Sequence, residues 1–392
     1  MKDTNNKVTR NIALLGSTGS IGKNTLEIVR NNRDKFKIVS LACGNNVEMI
    51  SSQIREFDPL VISVGSGNAA DNLSKEFPEK KIYHGNDGMM EAVNAKGTDT
   101  VVTATSGTHS IHATLDAIRN GYRICLANKE TLVVAGELVN EYLSSSSSEI
   151  IPIDSEQSAI FQCIKGNDRK FLKKVILTAS GGPFFNLDEK GFKHITVNDA
   201  LNHPVWSMGK KITIDSSTLV NKALEIIEAF YLFKLDISEI DLLIHPQSIV
   251  HSMVEFIDNS TIAQMGVPDM KIPIQYSLSY PERFETSTDN LDLSKTRTLS
   301  FFGVDKVKFP SIEMAFDVIS EKKNSGLIFN VANEVAVEYF LRGDIPFTGI
   351  FNVLENMVKE CERSVISSAD ELTPMINEVK KVTEEYIRRN TF

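Results

Sequence analysis

Residues 151–160 read IPIDSEQSAI and place Asp154 and Glu156 one residue apart, with Ser155 between them. Two carboxylates so close repel, so either one holds a proton or both share a cation. The stretch reads as the end of an apolar strand, and in an extended segment residues i and i+2 point to one face. A third acid is at hand in NKALEIIEAF, where Glu225 and Glu228 stand at i, i+3 on a helical pattern and either could face the pair. Hard oxygen donors with no His or Cys beside them suit Mg2+ or Mn2+. The plain structural alternative is helix capping, with Asp154 or Ser155 starting the helix EQSAIFQCI.

Other polar clusters suggest what such a cation would serve. TASGGPF (178–184) ends a strand with Ser180 and two glycines, a loop whose N–H groups can reach an anion. DSSTLVNK (215–222) gathers hydroxyls, including Ser216, with Asn221 and Lys222 near a helix start, a pattern that suits a phosphate group as well as ordinary capping. NHPVWSMG (202–209) holds the only tryptophan, Trp206, in a stretch marked by proline and glycine that could cover a substrate. ANKET (127–131) sets Lys129 and Glu130 after another strand end. Near the N-terminus, ALLGSTGSIG spaces Gly16, Gly19 and Gly22 between a first strand and a first helix, with Thr18 where the usual second glycine would be. Glycines there allow a tight turn and close approach of N–H groups to a pyrophosphate. After the second strand the chain reads ACGNN, with Gly44, Asn45 and Asn46 and no acid to take a ribose 2′-hydroxyl, which leans toward NADP(H).

These residues need elements to hold them. From 11 to about 153, NIALLG, KIVSLAC, LVISV, KIY, DTVVTA, YRICLA and EIIPID alternate with helical patterns. That rhythm predicts βαβ units and a Rossmann-like, doubly wound parallel sheet. Beyond 154, KKVILTAS, DLLIHP, IVHSMVEF and STIAQMG mix with helices, among them one long pattern over 217–233. The alternation in SMVEF and TIAQM predicts antiparallel strands in an α+β catalytic domain. Residues 285–311 are polar and without period, and 311–322, 326–341, 347–363 and 369–389 are helical. The expected organisation is a dinucleotide-binding domain at 1–153, a metal and substrate domain at 154–284, a linker at 285–311 and a C-terminal helix bundle at 312–392.

The 392 residues are 42% hydrophobic and 24% charged, ordinary for a globular protein of two or three domains. A net charge of −9 offers no basic surface for nucleic acid. No apolar run approaches the roughly 20 residues of a membrane span. The cysteines at 43, 125, 163 and 361 form no CxxC pair and read as thiols in a reducing compartment. The polar N-terminus has no signal-peptide pattern, which points to a bacterial-type cytoplasm unless an organelle-targeting segment has been removed.

Taken in order, GSTGSIG, ANKETLV, PIDSEQSAIFQ, TASGGPF, NHPVWSMGKKITIDSSTLVNKALEIIEA, IHPQSIVHSMVEF and QMGVPDMKIP resemble the 1-deoxy-D-xylulose 5-phosphate reductoisomerase family along nearly the whole chain. The resemblance implies conversion of 1-deoxy-D-xylulose 5-phosphate to 2-C-methyl-D-erythritol 4-phosphate in non-mevalonate isoprenoid biosynthesis. It implies NADPH, Mg2+ or Mn2+, a sugar phosphate substrate and a homodimer. Carried over residue by residue, it assigns Thr18, Gly19, Ser20, Ile21, Gly44, Asn45, Asn46, Asn128, Glu130 and Gly209 to the cofactor. It assigns Asp154, Glu156 and Glu225 to the metal, choosing Glu225 over Glu228. It assigns Lys129, Ser155, Ser180, His203, Ser216, Asn221 and Lys222 to the substrate, which Glu156 and Glu225 also reach. It assigns Trp206 and Met208 to a flexible lid, and Lys129, Glu156, His203, Trp206 and Met208 make up the expected catalytic set. Many members of the family carry lysine where Asn45 stands, which bears on the strength of the NADPH preference. Two other readings share the glycine turn. A metal-independent NADP-dependent dehydrogenase of a small aldehyde or amino acid leaves the three acids unexplained. A nucleotide-sensing binding protein on the same fold would bind NADPH without turnover.

Overall fold

Seven strands carry the first part of the chain: β1 (Arg10–Leu15), β2 (Phe36–Ala42), β3 (Val61–Val64), β4 (Lys81–His84), β5 (Thr100–Thr103), β6 (Arg123–Leu126) and β7 (Glu149–Pro152). They form one sheet in the order β4-β3-β2-β1-β5-β6-β7, every pair parallel. This is the doubly wound arrangement the alternating pattern predicts. The computed structural model describes residues 10–202, 209–296 and 298–390. The polar stretch 1–9 and the expected site residues His203, Trp206 and Met208 lie outside those described residues.

The chain divides into two units, Met1–Thr131 with Val139–Ser158 and Asp269–Thr288, and Leu132–Leu138 with Ala159–Pro268 and Asp289–Phe392. In the first unit, parallel strands covered on both faces read as continuous apolar runs, and Ile12, Ala13, Leu14 and Leu15 are fully buried. The helix Lys271–Ser279 belongs to this unit although it follows the later strands. Its Ile274 and Leu278 share a core with Ile12, Leu14, Leu41 and Ile62. Arg10 donates from Nε to the Leu278 carbonyl at 3.0 Å.

The second unit holds a mixed sheet of β8 (Leu172–Ala179), β9 (Ile240–Ile244), β10 (Val250–Phe256) and β11 (Thr261–Met265), in the order β11-β10-β8-β9. β10 runs antiparallel to β8 and β11, as the alternation predicts, and β9 runs parallel to β8. The expected C-terminal helices are present at Ser311–Glu321, Ser325–Arg342, Phe347–Glu360 and Leu372–Arg389.

Two local details differ from the sequence reading. The helical pattern at 217–233 is split between helices Lys210–Ser217 and Val220–Phe233. Ser217 and Thr218 turn their hydroxyls back to the Thr213 and Ile214 carbonyls, and Leu219 takes φ +54°, which ends one helix and redirects the chain. The aperiodic stretch around residue 300 is tied to the sheet, because Phe302 and Ile244 exchange backbone hydrogen bonds of 2.8 and 2.9 Å. All four cysteines are free thiols. Among the described residues no helix is long and apolar enough to cross a membrane.

Candidate active site

The nucleotide turn begins where β1 ends, beside β5, at the point where the sheet order reverses and open α/β sheets bind ligands. Gly16 has φ +92°, and a Cβ on it would stand 2.4 Å from the Ala104 carbonyl oxygen. A Cβ on Gly22 would stand 2.2 Å from the Gly16 carbonyl oxygen, so the turn and the helix Ser20–Asn31 can meet only through glycine. Gly19 is exposed and caps that helix with no side-chain hydrogen bond to its first N–H groups. Those free donors and the helix dipole suit an anion. Thr18 and Ile21 are half-buried and Ser20 exposed around the same turn. Gln53, which the sequence did not single out, donates from Nε2 to the Ser17 carbonyl at 3.0 Å and braces the turn from below.

Gly44, Asn45 and Asn46 follow β2 and are exposed. Asn46 caps the helix Val47–Phe57 by accepting from the Met49 N–H at 3.1 Å. Asn45 carries no charge, so this corner has neither the acid of an NAD site nor a cation of its own at position 45. Next to it, burial pushes the Cys43 thiol up to about 11, against hydrogen bonds from the Asn46 backbone and the Thr18 side chain that lower it.

Asn128 is 1% exposed, and its amide nitrogen donates to the Thr105 carbonyl (3.0 Å), the Gly107 carbonyl (2.8 Å) and the Glu130 carboxylate (2.9 Å). Its oxygen accepts from the Thr131 N–H and hydroxyl. The Asn128 side chain thus ties the loop after β5 to the start of the helix Glu130–Ser144, and Glu130 takes the Gly107 N–H at 3.1 Å.

β6 and β7 are parallel neighbours, so the residues just beyond their carboxyl ends lie side by side. Lys129 Nζ reaches Asp154 Oδ2 at 2.6 Å, with the two side chains 9% and 10% exposed. Carboxylate oxygens of Asp154 and Glu156 lie within 4.8 Å of each other. The cause differs from the alternation argued above. The helix Ser155–Ile164 has already begun at Ser155, and Glu156 sits in its first turn, where an acid meets the favourable end of the dipole. Ser155 donates its hydroxyl to Glu156.

In the second unit, Glu225 is 1% exposed on the helix Val220–Phe233 and accepts from the Asn221 amide and the Lys222 ammonium, itself only 4% exposed. Glu228, one turn further on, is also fully buried. Ser180 lines a cavity of about 600 Å³ together with Gly182, Asn202, Gln247, Ser300 and Phe302. Gly181 and Gly182 both have positive φ, and a Cβ on Gly182 would stand 2.8 Å from the Ser216 carbonyl oxygen. The loop after β8 therefore packs against the backbone at Ser216 and brings Ser180 and Ser216 into one neighbourhood. Gly209 is exposed and precedes the helix Lys210–Ser217. The sequence reading missed Gln247, Ser300 and Phe302 as cavity residues. The available signal was the aromatic pair Phe301–Phe302 inside an otherwise polar stretch.

Sheet order and glycine turn define the class: a protein built on a Rossmann-like dinucleotide-binding domain. Comparison with known proteins carries this further. The family model for 1-deoxy-D-xylulose 5-phosphate reductoisomerase matches residues 12–136, and models for that enzyme's C-terminal domains match 150–233 and 265–382. The chain is 43% identical to the 1-deoxy-D-xylulose 5-phosphate reductoisomerase of Chlamydia caviae over 96% of its own length and all of the relative's. It is 46% identical to that of Chlorobium chlorochromatii over 90% of the chain and 93% of the relative. A solved reductoisomerase in complex with NADPH, fosmidomycin and magnesium superposes with a TM-score of 0.92 at 36% identity, covering 97% of this chain and 98% of that one. The Zymomonas mobilis enzyme in complex with NADPH gives 0.91 at 34%, covering 97% and 99%. The chain belongs to the 1-deoxy-D-xylulose 5-phosphate reductoisomerase family.

Proposed function

We propose that this chain carries out its family's reaction through the residues described above. The reaction is the NADPH- and divalent-metal-dependent conversion of 1-deoxy-D-xylulose 5-phosphate to 2-C-methyl-D-erythritol 4-phosphate, a retroaldol/aldol rearrangement followed by hydride reduction. The observation that carries the residue assignment is the buried Lys129–Asp154 pair with Glu156 beside it at the carboxyl end of β7.

Asp154, Glu156 and Glu225 could hold a metal ion through one carboxylate oxygen each. An all-carboxylate donor set fits Mg2+ or Mn2+, and a solved relative was determined with magnesium. A cation bound there supplies Lewis acidity and a template for the substrate's carbonyl and neighbouring hydroxyl oxygens. The protein's own groups do the rest. Lys129 neutralises Asp154 and offers N–H donors at the reacting end of the substrate. Ser155 orients Glu156 through its hydroxyl. Ser180, Ser216, Asn221 and Lys222 offer hydroxyl, amide and ammonium donors to the phosphate, so that binding energy from the remote end is spent on orientation. The turn at Thr18, Gly19, Ser20 and Ile21 holds the pyrophosphate of NADPH through backbone N–H groups, with Gly44, Asn45, Asn46, Asn128, Glu130 and Gly209 completing the cofactor contacts. His203, Trp206 and Met208 join the reacting centre on the strength of the sequence motif. In this reading 1–153 is the nucleotide-binding domain, with Lys129 its contribution to the chemistry, 154–284 is the metal and substrate domain, with Gly209 its contribution to the cofactor, 285–311 is a linker and 312–392 the helical domain.

A homodimer is part of the proposal. β11 is an edge strand whose Ile262 is 44% exposed, and such an edge invites pairing with a second copy. We place the protein in the cytoplasm.

The test is NADPH oxidation with 1-deoxy-D-xylulose 5-phosphate, with and without EDTA. Turnover that EDTA abolishes and Mn2+ restores is expected. Turnover indifferent to EDTA would refute the metal assignment, and NADPH binding without turnover would refute the activity.

A further inference from the structure

The proposed phosphate donors flank one corner of the second unit. Ser216 stands near the end of the helix Lys210–Ser217, and Asn221 and Lys222 stand in the first turn of the helix Val220–Phe233. Thr218 and Leu219 join the two. Leu219 is 2% exposed and has φ +54°, a backbone region that residues other than glycine seldom enter and that persists where the surroundings over-determine it.

Two buried side chains from the C-terminal helices reach this corner. Ser311, the first residue of the helix Ser311–Glu321, donates its hydroxyl to the Thr218 carbonyl at 2.8 Å. Asn333, in the helix Ser325–Arg342, donates from Nδ2 to Asp215 Oδ1 at 2.8 Å. Ser311 and Asn333 are fully buried and Asp215 is 1% exposed. The other Asp215 oxygen meets Lys211 Nζ at 2.8 Å. Asn333 Oδ1 is buried with no hydrogen-bond partner among the described residues. Rotating the amide to relieve it would set oxygen against the Asp215 carboxylate, so the carboxylate dictates which way the amide faces. An amide that leaves its own oxygen unpaired to meet Asp215 marks a contact under constraint.

We infer that Ser311 and Asn333 are positioning residues for the phosphate end of the substrate: through Thr218 and Asp215 they fix the corner that presents Ser216, Asn221 and Lys222. The C-terminal helices, to which the sequence motifs assign no site residue, thereby act on substrate binding. The inference rests on reading Ser216, Asn221 and Lys222 as phosphate donors.

The test uses the full chain with NADPH and Mn2+. Ser311→Ala, Asn333→Ala and Ser216→Ala are compared for KM of the sugar phosphate, Ki of inorganic phosphate, KM of NADPH and melting temperature. Ser311→Ala removes one hydroxyl and keeps the measurement available where Asn333→Ala fails to fold. Small misplacements of binding groups are costly, so both variants are expected to raise the sugar phosphate KM and the phosphate Ki by about tenfold, with the NADPH KM unchanged. Lower melting temperatures with wild-type phosphate Ki in Ser311→Ala and Asn333→Ala, while Ser216→Ala raises it, would overturn the positioning role alone. A wild-type phosphate Ki in Ser216→Ala would overturn the phosphate reading, and the positioning role with it.

Discussion

Glu225→Gln separates two jobs that the same carboxylate is given. In the fold, Glu225 accepts from the Asn221 amide and from a Lys222 ammonium that is 4% exposed. Removing one member of a buried ion pair outright costs about 3–5 kcal/mol, because the other charge is left uncompensated. Glutamine keeps the size and one carbonyl oxygen that can still accept from Lys222, so the loss should be nearer ~2 kcal/mol. At roughly 1.2 °C per kcal/mol for a chain of 392 residues, the metal-free protein should melt about 2–3 °C lower. In the proposed site, the same change removes one of the three carboxylates assigned to the metal. Losing a group that merely supports a ligand already costs about 10–100-fold in metal affinity, so losing a ligand should cost at least ~100-fold. A ligand that binds only the folded state raises the melting temperature with its concentration. Melting curves across an Mn2+ titration therefore read the metal-free drop and the Mn2+ midpoint independently, and NADPH oxidation in the same samples reads turnover. Glu228→Gln is the control, since it removes a buried carboxylate one turn along and should leave the Mn2+ midpoint in place. An unchanged midpoint together with near-normal turnover of Glu225→Gln at low Mn2+ would refute the assignment.

Gly22→Ala should cost about 2–3 kcal/mol, because the added Cβ would stand 2.2 Å from the Gly16 carbonyl oxygen and 2.6 Å from the Ser17 Cα, backbone atoms that cannot rotate away. It should also weaken NADPH binding at least tenfold, read by nucleotide fluorescence, while a wild-type dissociation constant would show that the turn does not carry the pyrophosphate. Asn45→Lys places a cation at an exposed position after β2. A charge-assisted hydrogen bond to the 2′-phosphate, worth about 1.5 kcal/mol, should widen the ratio of kcat/KM for NADPH over NADH by roughly tenfold without moving the melting temperature. An unchanged ratio would place the 2′-phosphate elsewhere.

The sequence by itself determined the strands of the first sheet and the nucleotide turn. Each strand of the first sheet lies within a residue or two of its apolar segment, from NIALLG at β1 to EIIPID at β7, and the inner strands are the plainest because a parallel strand buried on both faces announces itself locally. Gly16 and Gly22 are legible for the same reason: a tight strand–helix turn excludes a Cβ whatever surrounds it. The acids and hydroxyls were visible as residue types, and motif order was specific enough to name the family. What only the tertiary structure decided is how those groups are used, since that depends on partners far along the chain. Lys129 meets Asp154 because β6 and β7 happen to be neighbours in the sheet. Glu156 stands in a helix, not on the strand face that alternation suggested. The helix Lys271–Ser279 returns to the core of Ile12 and Leu14, and Phe302 joins β9 from a stretch with no period of its own. Asn333 reaches Asp215 across 118 positions of sequence. Hydrophobic period and backbone sterics act between near neighbours and leave a trace in the sequence. The pairing of a buried polar group depends on which distant surface covers it, and only the folded chain decides that.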